Sequence, residues 1–185
     1  RPTPTAEGPT PTPTAAVRTP LVISEVMAGA TGDNNHEFIE LYNATEEPFD
    51  LQGYRLLYRL SPEAEEVLIY AWDEPSIVPP HGHFLLVRTG VDVGAVPDAE
   101  FDQPINTRFG SLILLDPSGN VADRVGWGDK PELAEGTPAP SLENDRSLER
   151  QPGGEAGNAQ DTDDNGADFV MNDAPNPQNT GSLPT

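Results

Sequence analysis

Asp161-Thr162-Asp163-Asp164-Asn165-Gly166 is the segment whose side chains are best spaced for chemistry. It fits D-x-D-x-N-G, the opening of a calcium loop, in which oxygens at alternate positions converge on one cation while glycine allows the sharp turn. Asp161, Asp163 and Asn165, joined by Asp168, are the candidate ligands. Calcium held there would pin the C-terminal part of the chain to its core. Two features separate the segment from an EF-hand. The twelfth position is Asn172 rather than a bidentate glutamate, and Gln151-Pro-Gly-Gly-Glu-Ala-Gly157 cannot supply the entering helix. Without a cation, the same residues read as a chain of Asx turns, their carboxylates accepting from nearby backbone N–H groups.

The other chemistry-bearing residues are sparser. His81-Gly82-His83 has the two-residue spacing that puts both imidazoles on one strand face, and His36 lies in a loop that could approach them, so zinc is a second possibility. The competing reading is a polar, exposed turn entering a strand. Glu37 and Glu40 are three apart, which on a strand sends them to opposite faces and bars a shared acid/base cleft. There is no cysteine, no G-x-S-x-G, no phosphate-binding loop and no dinucleotide fingerprint, so no catalytic arrangement is expected. Asn43-Ala44-Thr45 is an N-glycosylation sequon at a strand end. Tyr42, Tyr54, Tyr58, Tyr70, Trp72 and Trp127 would make a carbohydrate platform if exposed, but their place in strand patterns favours core packing.

The elements that would position these residues are short strands. Leu21–Met27, Glu37–Asn43, Tyr54–Leu60, Glu66–Trp72, Phe84–Arg88, Ser111–Asp116 and Val121–Trp127 are strand-length runs separated by Gly, Pro, Asp and Asn, with no sustained 3.6-residue period. In Tyr54–Leu60, Tyr54, Leu56, Tyr58 and Leu60 alternate with Arg55 and Arg59. Asp116-Pro-Ser-Gly-Asn120 is predicted to turn a hairpin. Seven such runs in 185 residues predict one all-β sandwich or barrel.

Two flanks differ. Residues 1–20 hold Pro2, Pro4, Pro9, Pro11, Pro13 and Pro20 among Thr3, Thr5, Thr10, Thr12, Thr14 and Thr19. Such a tract reads as an extended polyproline-like linker or stalk, and its six threonines are candidate O-glycan acceptors. Residues 151–185 are polar and turn-rich, with six acidic residues and no Lys or Arg. The net charge of −21 repels phosphate backbones and anionic membranes, so nucleic acid is not an expected partner. No apolar run approaches the roughly 18 residues of a membrane span. The first residue, Arg1, implies processing or truncation.

Several segments together resemble the lamin tail domain family in its prokaryotic, extracellular form. They are Leu21–Met27, Glu37–Asn43, Pro48-Phe-Asp-Leu-Gln-Gly-Tyr54, Val78–Val87, Gly110–Gly128, Ser147-Leu-Glu-Arg150 and Asp161–Phe169, covering about residues 21–178. The resemblance implies an immunoglobulin-like β-sandwich, non-enzymatic, acting as a binding, anchoring or structural module. The organisation expected is a stalk at 1–20, a sandwich with an acidic C-terminal loop at 21–178 and a tail at 179–185.

Three functions fit: a secreted or cell-surface module that binds a protein or glycan partner; a self-associating subunit of an extracellular filament or surface layer, built when the N-terminal segment adds a strand to a neighbouring copy; or an accessory domain of a larger secreted enzyme.

Overall fold

Leu21–Ala30 forms β1 and pairs antiparallel with β2, Asp33–Asn43. Leu21 and Ile23 face the core, and so do Val26 and Ala28. Strict alternation cannot put odd and even positions on one face. A bulge between Ile23 and Glu25 inserts Ser24 as an extra residue and resets the phase. Met27 consequently points outward, where it packs with Phe38, Leu85 and Val87 in a small second cluster beneath Val91, Val93 and Ala95.

The computed structural model describes residues 20–185. The candidate O-glycan acceptors Thr3, Thr5, Thr10, Thr12, Thr14 and Thr19, and all of the linker except Pro20, lie outside the described residues. The remaining strands are β3 (Phe49–Asp50), β4 (Arg55–Arg59), β5 (Val67–Ala71), β6 (Ile77–Val78), β7 (His83–Arg88), β8 (Ala99–Phe101), β9 (Gly110–Leu115), β10 (Val121–Trp127), β11 (Ser147–Arg150) and β12 (Phe169–Asn172). A single helical turn, α1 (Asn165–Asp168), is capped by the Asp164 side chain, which accepts from the Gly166 N–H.

The strands make a six-stranded sheet in the order β12-β11-β1-β2-β7-β8, a four-stranded sheet in the order β10-β9-β4-β5, and the two-stranded β3-β6. All pairings are antiparallel except β7 with β8. The two large sheets pack face to face. Trp127 stacks on Tyr58 across strands of the smaller sheet, and Trp72, just after β5, meets Phe84 of β7 edge-on at 5.6 Å. The fold is an all-β, immunoglobulin-like sandwich, and the aromatics named as a possible platform are core: Tyr42, Tyr58, Trp72 and Trp127 are buried, while Tyr54 and Tyr70 are partly buried against them.

The predicted turn forms as expected. The Asp116 carboxylate accepts from the Ser118 and Asn120 N–H groups, and Gly119 takes a positive φ of 86°. The polar C-terminal region departs from its expectation. It contributes β12, whose Phe169 enters the core. Residues 179–185, expected to be a tail, are bonded to the sandwich: the Thr180 backbone N–H and hydroxyl both donate to Asp98, and the Thr185 N–H donates to the His81 carbonyl.

Candidate functional site

Arg150 is fully buried at the end of β11. Its Nη2 donates to both carboxylate oxygens of Asp123 on β10, at 2.8 Å each, and its Nε donates to the Ile23 carbonyl on β1. Asp123 also accepts from the Ile23 N–H at 2.6 Å. One ion pair therefore ties the two sheets together, with the guanidinium 4.6 Å from the Phe169 ring centre. Burial pushes the Asp123 carboxyl up and Arg150 draws it back. Glu135 and Asp161 complete an acidic group with Asp123, their oxygens within 4.8 Å of one another. Burial, then the charges of Asp123 and Asp161, raise the Glu135 carboxyl to about 7.

The calcium set read from the sequence does not assemble in its linear order. Asn165 is buried, and its Oδ1 accepts from the Gly126 and Glu135 N–H groups while its Nδ2 donates to the Arg124 carbonyl. Asp168 is also buried and accepts from the Thr162 N–H and hydroxyl. Asp161 lies 3.7 Å from Arg150, on the side of Asp123 and Glu135. Asp163 sits exposed at a positive φ of 56°. The D-x-D-x-N-G spacing here builds a polar plug under β10, with Asn165 imitating a backbone partner. The only metal-sized group of three acids or imidazoles among the described residues is Asp123, Glu135 and Asp161.

The histidines are corrected as well. His83 is fully buried rather than exposed, and His81 is only partly exposed. The Asn158 amide donates to the Arg150 carbonyl, so its oxygen faces His83 Nε2 at 3.2 Å; this assigns the proton to Nε2. Burial lowers His83 to about 4 and keeps it neutral. The His81 Nδ1 instead faces the Tyr42 hydroxyl at 3.3 Å. Neither imidazole joins a metal-sized group.

Beside His83 on the outer face lie two buried acids. Glu40 accepts from the Ser24 hydroxyl and the Gln178 N–H, both at 2.7 Å, and Glu25 accepts from the Ser147 hydroxyl. Burial raises Glu25 to about 7, and burial with the nearby Glu25 charge raises Glu40 well above the carboxylate range. Glu37 is on the opposite face, where it accepts from the Arg88 guanidinium and the Ile105 N–H at 3.0 Å each. Asn43, read as a sequon, is fully buried; its Nδ2 donates to the carbonyls of Glu47, Val78 and Pro79, so the folded chain offers no amide to a glycan.

Sequence reasoning missed an open surface. β5 is the outer strand of its sheet, and among the described residues its outer backbone edge has no hydrogen-bond partner. Val67 and Leu68 are 45% and 53% exposed, and nearby Leu60 is 42% exposed. Leu60 and Val67 border a groove of about 640 Å³ lined also by Tyr58, Ala64, Pro104 and Ile105. The signal was the pattern break at Leu60, which continues the apolar alternation of β4 beyond the end of the strand.

These features define a β-sandwich module whose chemistry-bearing side chains are taken up by structural hydrogen bonds. The lamin tail domain family model matches residues 14–129, and the chain belongs to that family. The match ends before β11 and β12, which supply Arg150 and Phe169. Among solved structures, the chain is similar to a DUF4876 family protein from Bacteroides thetaiotaomicron VPI-5482, with a TM-score of 0.59 and 14% identity over 85% of this chain and 72% of that one. That likeness is one of fold. No curated protein matches.

Proposed function

We propose that the chain is a secreted or cell-surface, non-enzymatic structural module that takes a protein or glycan partner along β5 and its groove. The open edge of β5 beside exposed Leu60, Val67 and Leu68 carries this reading. Native sheets usually blunt such edges with charge or cover them, and an exposed apolar edge marks a docking surface. The Thr/Pro-rich segment supports a stalked, extracellular setting. Three side chains of types that catalysis uses are held in structural pairs: buried Arg150 with Asp123, partly exposed Arg88 with buried Glu37, and buried His83 with Asn158.

The test titrates isotope-labelled full chain with panels of hexasaccharides and extended hexapeptides. Amide shifts centred on Leu60, Val67, Leu68 and Gln103, with each probe recovered intact, are the expected outcome. Turnover of a probe, or binding centred on another face, refutes the reading.

A further inference from the structure

Edge strands accept segments that can extend along them, and the sequence holds a stretch with an unusual pattern. Pro9-Thr10-Pro11-Thr12-Pro13-Thr14 alternates strictly. In a strand, the N–H and C=O of one residue point to one neighbour and those of the next residue point the other way. Prolines at every second position therefore leave one fully competent side, that of Thr10, Thr12 and Thr14, and one side stripped of donors. Such a segment can pair with one edge and cannot accept a further full ladder on its other side. Six residues match the five of β5, Val67–Ala71.

Charge agrees. Residues 1–19 hold Arg1 and Arg18 against Glu7, a net +1 in a chain of net −21. The groove beside β5 is lined by exposed Glu65, and Glu63, Glu66 and Asp102, next in sequence to its lining residues Ala64, Val67 and Gln103, are exposed. Arg59, between the groove residues Tyr58 and Leu60, is turned onto the carbonyls of Pro62 and Ala64.

Geometry selects a second copy as the donor. The Ala44 N–H donates to the Pro20 carbonyl, so the chain still follows the line of β1 where it passes beyond β2. β10 lies against β1 through the Ile23–Asp123 bond, and β5 is three strands away from β10. That is about 14 Å sideways and about 10 Å between layers, or about 17 Å directly. Residues 15–19, fully extended, cover about 17 Å. No length remains for the reversal that pairing within one chain demands.

We propose that Pro9–Thr14 of one copy adds along the outer edge of β5 of a second copy, giving head-to-tail assembly. The inference rests on β5 being the docking edge and names its occupant. The chain has no cysteine, so Ala15→Cys in the full, unglycosylated chain carries a single nitroxide. Mixed with isotope-labelled chain bearing no nitroxide, it should broaden the amide signals of Val67, Leu68 and Ile69, and light scattering should show mass rising with concentration. Leu68→Lys, at an exposed position, should weaken both effects at least tenfold and leave the remaining spectrum unchanged. Broadening absent or centred elsewhere, or assembly indifferent to Leu68→Lys, overturns the inference. The docking role itself fails on a different result, a β5 edge that takes no saccharide or peptide probe.

Discussion

Arg150 holds its position because burying Asp123 without it would leave a charge in the core. Removing one partner of a buried pair costs about 3–5 kcal/mol. Arg150→Gln should therefore lower the unfolding free energy by about that amount in urea titrations, and the double variant with Asp123→Asn should recover part of it. The buried acids set the pH response. Glu25 and Glu135 titrate at about 7 in the folded chain against 4.5 in the free residue. The folded state keeps these protons where the unfolded chain has released them, so their contribution is complete below pH 4.5 and is lost as pH rises toward 7. Glu40 acts in the same direction. His83 opposes them: lowered from 6.5 to about 4, it loses stability as pH falls through that window. Three acids outweigh one imidazole. The Tm should be higher at about pH 5.5 than at about pH 7.5, each kcal/mol moving it about 2–4 °C in a chain of this size. Glu40→Gln should flatten the profile, and a Tm that rises with pH across this range would contradict the assignment. None of this was legible in the sequence. His83 is buried by contacts with residues such as Asn158, far along the chain, and Asn165 hides behind the spacing of a cation ligand.

Elements were more legible where a full period of alternation existed. Val121–Trp127 is found at the residues read from the sequence, and β2, β4, β5, β7 and β9 shift only at their ends. β3, β6 and β8 hold two or three residues, too few to show a period. In β1 every residue from Leu21 to Gly29 is buried and the Ser24 bulge resets the phase, so no alternation of polarity marks which face is which. β12 was masked by its acidic neighbours, although Phe169 is core. The C-terminal strap deserves its own test. Asp98 accepts from the Leu85 N–H, the Thr180 N–H and the Thr180 hydroxyl. Asp98→Ala should cost about 1–3 kcal/mol for the donors it strands. Hydrogen exchange should show it opening residues 178–185 first, while β1 and β2 stay protected.

At the scale of the molecule, a net charge of −21 means that self-repulsion works against folding and association alike. Raising sodium chloride from about 0.01 M to 0.5 M shortens the screening length from about 30 Å to a few ångströms. The Tm should rise with salt. A salt-independent Tm would mean that the charges are already balanced locally. The all-β class was readable because strand-length periodicity recurs along the whole sandwich. The open edge of β5 was not, because it is created by what fails to cover β5, and its groove joins residues 58–67 to residues 103–106.

The line on which the chain passes from Pro20 into β1 has a mechanical meaning. β1 is an interior strand, laddered to β2 on one side and β11 on the other. Tension applied through residues 1–19 runs along the strand axis, so it loads both ladders in shear, many bonds at once, rather than unzipping them singly. The Ser24 bulge and the Arg150 anchor to the Ile23 carbonyl act as catches against sliding. Survival under load is governed by the unfolding rate rather than by equilibrium stability. A chain of these modules pulled end to end would thus transmit force through the best-buried strand in each.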